Sequence, residues 1–209
     1  MSNLKQRILK YGAGIVFVFC ITTLSWFDVF QSFELQTYDL RFHLRPAIRC
    51  RSDIALIEID DRTLDALGRW PIKRDYHARL IDALTRLGAR KIVFDILFSE
   101  PGPGDEALVV SSKKADNIYF PIVLRLPQKK PAGTYHALDI DTDLIPQLKS
   151  VTSPAHINIT SDIDGERRRA PLFVTHNNAN IPFLPLKLAM DILDLKNEDV
   201  VIKPGRIQL

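Results

Sequence analysis

The chain has 209 residues, enough for one domain of ordinary size with a segment to spare, and its 46% apolar content is that of a protein with a buried core. Lys5, Arg7 and Lys10 stand in the first ten residues with no acid beside them; taking these 3 from the 28 basic residues leaves 25 against 25 acidic ones, so the net charge of +3 belongs to the N-terminus and the body is neutral. A neutral body lacks the surplus of Lys and Arg that a phosphate backbone selects, which excludes a nucleic-acid binder, and two cysteines with five scattered histidines offer neither a disulfide framework nor a thiolate metal site.

In chain order the first element is the uncharged stretch of seventeen residues from Tyr11 to Phe27. At about 1.5 Å per helical residue it covers about 25 Å, the short end of what crosses a bilayer. Tyr11 at one end and Trp26 and Phe27 at the other have the character of interface anchors. The basic residues before the stretch, against Asp28 after it, place the N-terminus in the cytoplasm and the body outside. A cleaved signal peptide has the same order of charge and apolarity, and a buried core helix is a third reading. No small-x-small cleavage site follows, residues 25–30 being mostly bulky, so an uncleaved transmembrane anchor is expected. Residues 30–44 mix helical and alternating spacing and are expected to form a helix that leaves the membrane, ended by Pro46.

Residues 54–59, aliphatic apart from Glu58, have the composition of a strand buried on both faces. One or two helical turns over residues 63–67 end at Gly68. Asp75 is the expected N-cap of a helix over 76–87, closed by Gly88, in which Leu80, Ile81, Leu84 and Leu87 recur at helical spacing and His77 faces solvent. A second apolar strand over 91–98 then completes a right-handed βαβ unit with a parallel pair. A Pro/Gly loop at 101–104, a helix over 105–115 and a third strand over 118–124 follow. Residues 128–137 read as a mobile excursion and 143–148 as a short helix. A hairpin around the Asp164–Gly165 turn should join strands at 156–160 and 168–174. An apolar helix at 183–195 and a last hairpin around Pro204 and Gly205 complete an α/β fold: a single mixed, partly parallel sheet flanked by helices and preceded by one transmembrane helix. The domains are a basic tail over 1–10, the anchor over 11–27 and an extracytoplasmic body over 30–209; the chain stops in a strand, as a fragment would.

Ligands of parallel α/β sheets sit beyond the carboxyl ends of the strands. Asp60 and Asp61 stand at one such end, Asp95, Glu100 and Asp105 in or after the next, and Arg62, Arg69, Lys73 and Arg74 lie between. Three readings stay open for this rim: acids that only cap helices and pair with arginines, a pocket for a small ligand or ion at Asp60, Asp61, Arg74, Asp95 and Asp105, or a divalent-cation hydrolase built on the same acids. No GxSxG, glycine-rich phosphate loop or HExxH is present, and the DIDG at 162–165 lacks the glutamate that would end a calcium loop. Arg167 to Arg169 read as charges at a strand start, with an anion site as the alternative.

Four pieces in order, IEIDDRTLDALGRWP with Arg74 behind it, LGAR, KIVFDILFSEP with Asp105 behind it, and DIDGERRRAPL, resemble the second type of the CHASE domains, the cyclase and histidine-kinase associated sensory extracellular domains. The likeness covers residues 33–195. Where the family has a WPWPR-like turn this chain has WPIKR, so Trp70, Pro71 and Arg74 carry over and the second aromatic and second proline do not. The resemblance implies the extracytoplasmic sensory domain of a bacterial inner-membrane receptor, periplasmic or extracellular, noncatalytic and without cofactor. Its partners would be the membrane, an unknown small ligand or ion and a possible second copy of the chain. It would control a cytoplasmic output domain such as an adenylate cyclase or histidine kinase. The alternative is a membrane-tethered, metal-dependent hydrolase.

Overall fold

The computed structural model describes residues 2–26, 30–48, 51–128, 133–196, 199–203 and 206–208. The chain divides into two compact units, Met1–Ile57 with Ile163–Glu166, and Glu58–Asp162 with Arg167–Leu209.

The first unit carries two helices. Helix α1 (Ser2–Trp26) is 25 residues long, about 37 Å at the α-helical rise, and its Ile15, Val16, Phe17, Val18 and Phe19 side chains are uncovered. Thr22 and Thr23 return their hydroxyls to the carbonyls of Val18 and Phe19, each at 2.8 Å, so these polar groups are satisfied inside the helix. Among the described residues no helix is long and apolar enough to cross a membrane. The expected span over 11–27 is therefore not found as such, and its last residue lies outside the described ones. Helix α2 (Gln31–Leu44) matches its expected bounds to within a residue. It ends because Arg45, at φ −70° and ψ 132°, takes the extended backbone that a following proline imposes.

The strand expected over 54–59 does not form. Among the described residues these have no strand partner, and Ile54 is 73% and Leu56 82% exposed. An apolar alternation shows that a segment could be a strand; only a ladder partner makes it one.

In the second unit, α3 (Asp61–Leu67) is capped by Asp60, and α4 (Arg74–Arg86) starts one residue before Asp75, so Lys73 takes the cap position and Asp75 the first turn. Strand β1 (Ile92–Val93) pairs in parallel with β2 (Ile118–Tyr119) across α5 (Asp105–Ala115), whose expected bounds hold. The parallel unit is thus one step later in the chain than expected. Single bridges extend it: Ile122 lies parallel to His156, and His156 to Phe183. The hydrogen bonds are continuous, from Phe94 N–H to the Tyr119 carbonyl at 2.9 Å, Ile122 to Ala155 at 3.0 Å, and Leu184 to His156 at 2.8 Å. Four chain segments therefore run side by side in one direction, joined through α5 between the first two, through small strands and a short helix between the second and third, and through a hairpin between the last two.

The antiparallel pieces are separate and small, so the expected single sheet is instead several. β3 (Val123–Arg125) pairs with β5 (Asp139–Thr142). β4 (Tyr135–His136), inside the expected excursion, lies parallel to β6 (Phe173–His176); residues 129–132 of that excursion lie outside the described ones. β6 returns through Asn177 and Asn178, both at positive φ, to β7 (Ala179–Pro182). Two successive left-handed residues make the turn whose twist suits a two-residue hairpin. The hairpin expected around Asp164–Gly165 is reduced to one bridge, Thr160 to Arg169. α6 (Pro146–Lys149) starts three residues later than expected and ends one residue beyond, while α7 (Leu184–Ile192) lies within its expected span. β8 (Val201–Lys203) and β9 (Arg206–Gln208) form the last hairpin as expected, its Pro204 and Gly205 lying outside the described residues.

Ile81 of α4 and Leu108 of α5 meet Phe94, Phe98 and Phe120 in the main core, with Ile92, Ile118, Ile122, Leu124 and Leu148. One polar residue closes the sheet from inside. Asn158 accepts from the Leu124 N–H at 2.9 Å and donates to the Leu124 carbonyl at 2.7 Å, a side chain standing in for a strand. Asn158→Ala should cost about 2 kcal/mol, because both backbone groups of a buried residue lose their partners. Thermal unfolding of the full chain reads this, and a loss below about 0.5 kcal/mol would mean water replaces the amide.

Candidate functional site

Beyond the carboxyl end of β1 the chain turns through Glu100 to Gly104 and enters α5, while the first residue of α4 comes up against the same loop. Arg74 Nη1 pairs with Asp105 Oδ1, and Nη2 donates to the Glu100 carbonyl. The other Asp105 oxygen accepts from the Gly102 N–H at 2.8 Å. The loop is thereby fastened to the first turns of two helices that pack on each other. The pair is largely enclosed, with side chains 15% and 20% exposed. The guanidinium also lies 5.4 Å above the Phe98 ring, an arrangement that favours a partly desolvated cation. Burial pushes the Arg74 guanidinium down from its ordinary range, a cost which the carboxylate and the ring face offset.

The loop reaches this close only because of glycine. Gly104 has φ +86°, and a Cβ there would stand 2.9 Å from the Asp75 nitrogen and 3.2 Å from Arg74 Cβ. Gly104→Ala should cost about 2 kcal/mol or more, from the left-handed backbone and the clash together. Gly88→Ala, at φ +82° in open space, should cost about 1 kcal/mol from backbone alone. Equal losses in thermal unfolding would show that the close approach is not needed.

His77, one turn along α4 from Arg74, does not face solvent as expected. It is buried and meets Phe98 edge-on at 5.4 Å and Phe94 at 5.8 Å. Burial, and next the Arg74 charge, hold its imidazole below the usual histidine range. The sequence did carry a signal: His77 stands four and seven residues before Ile81 and Leu84, on the apolar stripe of the helix and not on its solvent side.

Of the five expected site residues the structure joins Arg74 and Asp105. Asp60 is the N-cap of α3, accepting from the Thr63 N–H at 2.9 Å and its hydroxyl at 2.7 Å, bonds that lower its carboxyl below the usual range, the hydroxyl more than the N–H. Asp61 and Asp95 are exposed. Among the described residues no group of three or more His, Cys, Asp or Glu side chains is placed to hold a metal ion.

Two further polar clusters lie elsewhere. Asp162 receives Arg169 at 2.6 Å and Arg168 at 3.3 Å, with Asp162 only 7% and Arg168 8% exposed, so two of the three successive arginines serve a buried carboxylate. Tyr119 donates its hydroxyl to Asp191 at 2.7 Å, and Lys187 reaches the other oxygen of Asp191 at 2.5 Å. That network ties β2 to α7. Its members lie 72 residues apart in the chain, with no local pattern to announce them.

A family model described as CHASE2 domain matches residues 14–208. No curated protein and no solved structure matches the chain.

Proposed function

The chain belongs to the CHASE2 domain family, extracytoplasmic sensory domains of receptors, and on that footing we propose that it is the signal-input domain of a bacterial transmembrane receptor, acting on a cytoplasmic output domain. Helix α1 serves as the anchor, N-terminus in the cytoplasm; its basic start and its uncovered apolar side chains support this. The domain binds rather than catalyses, and its ligand is a small polar molecule or ion.

The observation that carries this reading is the Arg74–Asp105 pair. It joins the first residues of two packed helices across a glycine-bearing loop, where ligands of parallel α/β sheets bind. A ligand that competes for either charge, with Asp60, Asp61 and Asp95 as further contacts, favours a different setting of that loop and of the helix starts. Differential affinity for two settings is what a signal requires. The metal-dependent hydrolase needs carboxylates that converge, and no observation favours it.

The full chain in lipid nanodiscs should show a raised melting temperature with one member of a panel of divalent cations, nucleotides, amino acids and organic acids. At a hundred times its dissociation constant a ligand adds about 2.7 kcal/mol. The shift should disappear in Asp95→Asn, an exposed position whose replacement spares the fold. A flat panel on well-folded protein would overturn the ligand-binding reading.

A further inference from the structure

We propose that α2 is the surface through which two copies of this chain pair, side by side and in parallel, along a short coiled-coil seam. The proposal rests on the membrane-anchored reading above and names that receptor's partner as a second copy of itself. Phe30, Phe33, Thr37, Leu40 and Leu44 follow one another at steps of three, four, three and four residues, the spacing that keeps one narrow helix face against a second helix. They occupy positions a, d, a, d and a of a heptad. The four apolar members are uncovered, Phe33 at 67% and Leu44 at 74% exposed, whereas Leu35, off that line, is the buried residue of the helix. Thr37 suits an apolar seam because its hydroxyl donates to the Glu34 carbonyl at 2.7 Å and leaves no unpaired donor.

The pattern selects its occupant. In a parallel pair each seam residue meets its own copy, and the flanking positions bring Gln36 opposite Arg41 of the second copy, so no like charges face each other. A lipid surface would instead favour a broad apolar face with a basic polar side, and α2 carries Glu34 and Asp39 as well as Arg41 and His43. Fourteen residues are few for a helix pair in water. Two anchors in one bilayer raise the effective concentration of each seam for the other, which makes pairing a property of the anchored chain.

The test uses the full chain in lipid vesicles, with Cys20→Ser and Cys50→Ser and one added cysteine per variant. Phe33→Cys, Leu40→Cys and Leu44→Cys probe the seam. Ser32→Cys and Phe42→Cys are exposed positions off it, and Phe42, 55% exposed, is the apolar control. Under mild oxidation the seam variants should form disulfide-linked dimers about tenfold more than the controls. Equal yield at Phe42→Cys would mean apolar clustering without register, and would overturn the proposal. Seam cysteines shielded from a water-soluble thiol reagent yet forming no dimer would overturn it in favour of a membrane surface. Flotation with the vesicles separates the two levels: a chain that does not float removes the anchor and the pairing with it, and a floating chain without seam dimers removes only the pairing.

Discussion

Arg74→Met should lower the stability of the full chain by about 3 kcal/mol, while Arg74→Met together with Asp105→Asn should cost clearly less. The pair is mostly shielded from water and bound from several sides: Arg74 also holds the Glu100 carbonyl, and Asp105 the Gly102 N–H. Removing the cation alone leaves a carboxylate with one backbone N–H and little solvent. Removing both leaves a neutral amide that can still accept from Gly102, beside a thioether that packs well on the Phe98 ring. Non-additivity is therefore the signature, read as a double-mutant cycle in thermal or urea unfolding. Should the single and double variants lose the same amount, the pair would be an ordinary surface contact, and its claim to be the moving part of a sensor would go with it.

Stability should also fall by about 3 kcal/mol between pH 6.5 and 4 because of His156. This residue is fully buried in the parallel sheet, and burial lowers its imidazole from 6.5 to about 4. Its Nδ1 accepts the Asn158 N–H at 3.2 Å, so in the neutral ring the proton sits on Nε2, which has no hydrogen-bond partner among the described residues. Between pH 6.5 and 4 the unfolded chain binds a proton there and the folded chain does not. The stabilisation is complete above pH 6.5 and is lost as the pH falls through the folded value. His77, also lowered, adds to the loss in the same direction. Unfolding measured at pH 7 and pH 4 should show the drop, and His156→Leu should reduce it by more than half. A pH dependence that His156→Leu leaves untouched would place its cause in the carboxylates instead.

These two sites show how differently the chain announces its parts. The residues that form the clamp were legible as a rim: acids and bases clustered at strand ends, Arg74 ahead of an amphipathic helix, Asp105 after a Pro/Gly loop. That Arg74 takes Asp105, while Asp60 turns to its own helix, was not. A carboxylate three residues before Thr63 can always close a local cap, and a local bond forms without waiting for the fold. His156 carried no signal at all, since a histidine in HINIT reads the same whether its neighbours cover it or not.

By itself the sequence determined what depends on nearest neighbours: the family motifs, the helices α2, α4 and α5 with their stops, the existence of α7, the last hairpin, and the neutral body behind a basic, apolar start. Helical periodicity and caps act over one or two turns and need no distant partner. Tertiary structure alone decided which strands pair, because a ladder is made by two segments and the pattern of one cannot name the other. Thus residues 54–59 stay unpaired despite the most strand-like composition in the chain, β1 takes β2, and the sheet is extended by single bridges at His156 and Phe183. Burial followed pairing: it set His77 against Phe94 and Phe98 and enclosed the Arg74–Asp105 pair, since a helix face is buried only where another element packs against it.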